Sequence, residues 1–102
     1  MNNHYRQGDI LIVQTTTMPT TDLKKVKSIL VAEGSKTEHK HVLKSSSQML
    51  LHEKEGARFV RIQKKAELVH DEHARIEIPA GDYEIRIQRE FDLVQGTRDV
   101  TD

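Results

Sequence analysis

The feature that most constrains this chain is a period of two in its apolar residues. Ala74, Ile76 and Ile78 alternate with Arg75 and Glu77, and Tyr83, Ile85 and Ile87 alternate with Glu84, Arg86 and Gln88. Alternation places apolar side chains on one face of an extended segment and polar ones on the other. It predicts half-buried strands and argues against an amphipathic helix. Between the two runs lies Pro79-Ala80-Gly81. Proline presets φ and glycine tolerates φ > 0, so the expectation is a hairpin with a tight turn at 79–81.

The rest of the chain follows the same logic with shorter runs. Ile10-Leu11-Ile12-Val13, opened by Gly8-Asp9, suits a strand buried on both faces. Residues 15–21, with Pro19, have loop chemistry, 22–27 offer the start of a short helix, and 28–32 read as a strand. Residues 34–36 predict a turn. Residues 41–44 and 48–53 predict a second hairpin around Ser45-Ser46-Ser47. Lys54-Glu55-Gly56 predicts a further turn, and 57–64 a strand. The sum is an all-β fold, a small β-roll, barrel or sandwich of about seven or eight short strands. Residues 1–102 form a single domain, with 92–102 as a flexible tail or a strap across a dimer partner.

Composition narrows the function. A chain of 102 residues allows one domain, and a hydrophobic content of 35% is thin for a core of that size. A homodimer that buries further apolar surface is therefore expected. Sixteen Lys and Arg balance sixteen Asp and Glu, which argues against bulk capture of a long nucleic acid or an anionic membrane. No apolar run approaches a membrane span, and the first residues do not make a signal peptide, so a cytoplasmic location is expected. The absence of Cys removes disulfides and thiolate zinc sites. There is no P-loop or Gly-x-Gly-x-x-Gly pattern, and two Tyr and two Phe offer no stacking platform for single strands.

The six histidines are the residues left to carry chemistry, and four of them pair. His39 and His41 stand in Glu38-His39-Lys40-His41, two apart and on one face of an extended segment. His70 and His73 stand in His70-Asp71-Glu72-His73. His4 and His52 are isolated. Three readings fit. In the first, His39, His41, His70 and His73 hold a divalent metal as in cupin-like barrels, with Glu38, Asp71 or Glu72 completing the site, although no Gly-rich cupin signature accompanies them. In the second, no cofactor is needed. One His accepts a proton and another donates one, while Arg6, Lys36 and Lys40 stabilise charge on a phosphoryl group. That set suits cleavage of an RNA-type phosphodiester by its own 2′-hydroxyl. In the third, these are solvated polar residues around turns, with His70 and His73 capping or buttressing the turn before the 74–88 hairpin.

Several segments together resemble a known family. They are Tyr5-Arg6-Gln7-Gly8-Asp9-Ile10, Ala32-Glu33-Gly34, Glu38-His39-Lys40-His41, His70-Asp71-Glu72-His73, Ile78-Pro79-Ala80-Gly81-Asp82-Tyr83-Glu84 and Gln88-Arg89-Glu90-Phe91. In that order they resemble a family of small proteins of phages, plasmids and bacterial chromosomes, connected with broad-specificity ring nucleases. The resemblance implies a dimeric, metal-independent phosphodiesterase that degrades the cyclic oligoadenylate signals of type III CRISPR defence. It implies catalytic roles for His39, His41, His70 and His73, and ligand contacts for Glu72 and Arg6. Two departures stand out. Glu38 replaces a glycine that lets the backbone approach a ligand closely, and Phe91 replaces a tyrosine.

Overall fold

The computed structural model describes residues 3–33 and 40–87. The expected turn at 34–36, Lys36, His39 and the tail at 92–102 lie outside the described residues. The fold is all-β, with strands β1 (His4–Gln7), β2 (Ile10–Gln14), β3 (Leu23–Glu33), β4 (Lys40–Lys54), β5 (Ala57–Val69) and β6 (Ile76–Ile87). All pair antiparallel in one sheet of order β1-β2-β6-β5-β4-β3.

Two turns are built as their residues require. Gly8, at φ 59°, reverses the chain between β1 and β2. Glu55 and Gly56, at φ 54° and 85°, make the two-residue turn between β4 and β5, where two positive φ values match the twist of the flanking strands. β2 is buried at Ile10, Leu11, Ile12 and Val13, as its continuous apolar run predicts.

Two turn expectations are corrected. Residues 79–81 do not close a hairpin, because β6 runs through them. Ile62 pairs with Gly81 and Lys65 with Pro79, so Gln63 and Lys64 face the single residue Ala80 across a β-bulge. Pro79 is tolerated because β2 reaches only Tyr83–Ile87, so this part of β6 has an open side where no ladder bond is lost. Residues 45–47 likewise do not turn the chain. β4 is continuous there, and its ladders to β3 and β5 are both interrupted between Lys44 and Met49. The Ser45 hydroxyl occupies the gap, donating to the Lys65 carbonyl and accepting the Ser47 N–H. No helix starts at 22–27. Leu23–Val26 pair with His52–Met49, and this pairing overrides a weak local preference. Each supposed hairpin is one long strand, so the described sheet has six strands rather than seven or eight.

The interruptions line up. They fall between Val26 and Ser28 in β3, Lys44 and Met49 in β4, Ile62 and Lys65 in β5, and Pro79 and Gly81 in β6. The sheet creases along that line and folds over itself. Leu30 is in register with Val42 and through it with Val69, whereas Arg58 lies eleven residues back along β5. An unbent strand separates those positions by about 36 Å. Yet the Arg58 guanidinium donates to the Leu30 and Val31 carbonyls at 3.2 and 2.7 Å. A sheet without helices has nothing else to cover its apolar face, so folding is how it buries that face. The resulting core packs Ile10, Ile12, Val60, Ile62 and Ile85 in one cluster with Ile29, Val31, Leu43, Leu68 and Ile78. Each such side chain contributes about 1.5–3 kcal/mol on burial.

Candidate functional site

The fold-over brings together three places distant in sequence: the β1–β2 turn, the start of β4 and the connection from β5 to β6. His41 lies at the start of β4, and His70 and His73 lie in the connection. Their rings form a cluster. The His41 and His70 centroids are 4.2 Å apart, those of His70 and His73 4.7 Å, and those of His41 and His73 5.9 Å. His41 and His70 are half-buried and His73 is exposed. Three of the four sequence-selected histidines therefore meet, and the fourth, His39, lies outside the described residues. His52 is elsewhere in the fold. It is buried beside Phe59 and donates from Nδ1 to the Thr21 carbonyl at 2.8 Å, which is a structural role.

Behind the cluster sits a residue that sequence reasoning passed over. Gln7, at the end of β1, is only 3% exposed. Its amide nitrogen donates to the carbonyls of Leu68 and Ala74, both at 2.9 Å, and its oxygen lies 3.0 Å from His41 Nδ1. One side chain thus ties β1 to β4, to the end of β5 and to the connection that carries His70 and His73. Gly8 follows it. A Cβ there would lie 3.1 Å from His73 Nε2 and 3.5 Å from His41 Cε1, so the imidazoles pack against bare backbone. The signal for both was their place in the Tyr5–Ile10 motif, where they stood without a role.

The predicted ligand contacts divide. Arg6 donates to the Gly8 carbonyl at 3.4 Å, which sets its guanidinium beside the turn that the imidazoles pack against. Lys40 precedes His41 in β4 and, by the alternation of a strand, faces the other side. The backbone N–H of Glu72 donates to His70 Nδ1 at 3.0 Å. Lys36 lies outside the described residues. Burial and the neighbouring His70 and His73 push the His41 pKa below its ordinary value, and Asp9 opposes them. His41 therefore stays neutral, with a free lone pair, at a pH where an exposed imidazole begins to protonate. Among the described residues no group of three or more His, Asp or Glu is positioned to hold a metal ion. None of them forms a helix long and apolar enough to cross a membrane.

Fold and site together define a class: a small all-β domain whose creased sheet gathers three imidazoles against a glycine turn and a buried glutamine. Within that class, residues 6–88 match the model of a family described as "Domain of unknown function (DUF8820)", and the chain belongs to that family. No curated protein and no solved structure matches the chain.

Proposed function

We propose that this protein is a metal-independent phosphodiesterase, a ring nuclease that opens cyclic oligoadenylate by attack of a ribose 2′-hydroxyl on the adjacent phosphorus. The observation that carries the reading is the cluster of His41, His70 and His73, in which burial and the two neighbouring rings push the His41 pKa down. In-line cleavage of an RNA-type linkage needs no activated water. It needs a base for the 2′-hydroxyl, an acid for the leaving oxygen and positive charge for the phosphoryl group. The cluster supplies imidazoles for the first two, and Arg6, beside the Gly8 turn, is the cation for the third. On sequence grounds His39, paired with His41, is a further catalytic candidate and Lys36 a further cation, and a homodimer would set two such sites on one ring-shaped ligand in the cytoplasm. Zero net charge fits a compact anion held by a few local cations.

The test is incubation of the purified protein with cyclic tetra-adenylate in EDTA, with products resolved by mass spectrometry. Linear products ending in 2′,3′-cyclic phosphate are expected, with a loss of about 100-fold or more in His41→Ala. Ligand bound but recovered intact would replace this reading with a non-catalytic nucleotide-binding module. Turnover that appears only when a divalent metal is returned would replace it with a His-coordinated metal site built on His39, His41, His70 and His73.

A further inference from the structure

We propose that the three clustered histidines have fixed and different roles, set by two hydrogen bonds from behind: Gln7 makes His41 the proton acceptor at Nε2, and the Glu72 amide makes His70 an Nε2–H donor. The roles rest on the phosphodiesterase reading, whereas the tautomers beneath them do not.

Two carbonyls fix the orientation of the Gln7 amide. The oxygens of Leu68 and Ala74 can only accept, and the same group of Gln7 lies 2.9 Å from both. That group must be the amide nitrogen, since the alternative orientation sets three oxygens against one another in a buried place. The Gln7 oxygen is then left facing His41 Nδ1 at 3.0 Å, and it too can only accept. His41 must carry a proton on Nδ1. In the neutral ring this leaves the lone pair on Nε2, where it can take a proton. Gln7 is a positioning residue: it touches no substrate, and it acts by choosing which nitrogen of His41 is basic.

His70 is set the opposite way. The Glu72 N–H donates to its Nδ1, so that nitrogen carries no proton and the ring proton sits on Nε2. With Nδ1 taken by the Glu72 N–H, the group His70 offers outward is its Nε2–H. His70 is therefore a hydrogen-bond donor to a phosphoryl oxygen, which leaves His73, the exposed ring of the three, to give the proton. The step balances. The 2′-hydroxyl proton passes to His41 Nε2, the O2′–P bond forms, and the P–O5′ bond breaks. His73 gives its proton to O5′. Exchange with solvent then removes the proton from His41 and restores the one His73 gave.

The experiment is long-range 1H–15N correlation of the imidazole nitrogens in the wild-type protein at a pH where the rings are neutral, with peaks assigned from His41→Gln and His70→Gln. Expected are an Nδ1–H tautomer for His41 and an Nε2–H tautomer for His70. In Gln7→Met, the His41 pattern moves toward Nε2–H, as in a free imidazole, and that of His70 stays. In the hydrolysis assay the same variant loses about 100-fold in kcat with KM little changed. Nε2–H at His41 in the wild type, or a His41 tautomer indifferent to Gln7→Met, overturns the proposal. If Gln7→Met does not fold, the wild-type spectrum alone decides. If the tautomers are as stated but no cyclic oligoadenylate is cleaved, the phosphodiesterase reading fails and the Gln7 and Glu72 assignments stand.

Discussion

Gly8 is the residue at which the backbone and the site make the same demand. Its φ of 59° lies in the left-handed region, where an L side chain costs about 1–2 kcal/mol. The missing Cβ also leaves room for His73 Nε2, 3.1 Å from where that atom would stand. Gly8→Ala is expected to lower Tm by about 4–8 °C per kcal/mol lost, measured by thermal denaturation. It should also lower activity, assayed well below Tm, more than the lost stability explains, because the His73 ring must move. At His41 the consequence is a pH dependence. Its pKa is lowered on folding, so the unfolded chain takes up the proton first as pH falls through the ordinary value of 6.5. The stability is fully present above that value and is lost as pH drops toward the lower, folded one. Denaturation midpoints measured from about pH 7 to about pH 5 are expected to fall, and His41→Gln, which cannot charge, should flatten the slope.

At the scale of elements, Pro79-Ala80-Gly81 and Ser45-Ser46-Ser47 show what the sequence can and cannot say. Both carry turn chemistry, and both lie inside long strands. A turn and a bulge ask the same of the backbone locally, namely a break in pairing and a tolerant φ. What separates them is whether the partner strand continues past the break, which is information held by β5, not by the segment itself. Glu55-Gly56 was legible because two positive-φ positions between paired strands allow only a hairpin. Alternation made the strands legible in the same way. His41, His70 and His73 could be singled out by their pairing in sequence. Gln7 could not be given a role, because its partners lie 34, 61 and 67 residues away and only the crease brings them near. Gly81 gives the bulge its test. At φ 151°, with the site of a Cβ 3.3 Å from the Tyr83 ring, it is a position for glycine alone. Gly81→Ala is expected to cost about 1–3 kcal/mol, read as a lower urea midpoint at unchanged m. A result near zero would mean that β6 is not bent there.

At the scale of the whole molecule, the site exists only because the sheet is folded, and Arg58 is the clearest fastener of that fold. Its guanidinium reaches from the start of β5 to the Leu30 and Val31 carbonyls, beside the break in pairing between Leu30 and Ala32. These carbonyls lie on β3, the last strand of the sheet, where open backbone groups invite pairing with another chain, so Arg58 both closes the fold and blunts an edge. Gln7 fastens the other side, from β1 to the end of β5. The core between these two ties is shared by both halves of the sheet, so the halves are expected to unfold together, while the β3 end opens first when its tie is cut. Arg58→Met keeps most of the apolar stem and removes both hydrogen bonds, which is worth about 1–3 kcal/mol. Amide hydrogen exchange followed by mass spectrometry is expected to quicken at residues 28–32 of β3 and 40–44 of β4, the segment that carries His41. Residues 10–14 of β2 should keep their protection. Activity should fall with the loosening of β4, because His41 keeps its place against Gln7 only while that half stays folded over. Uniform loss of protection across all six strands would instead place Arg58 in the global stability of the domain and deny the crease a separate fastening.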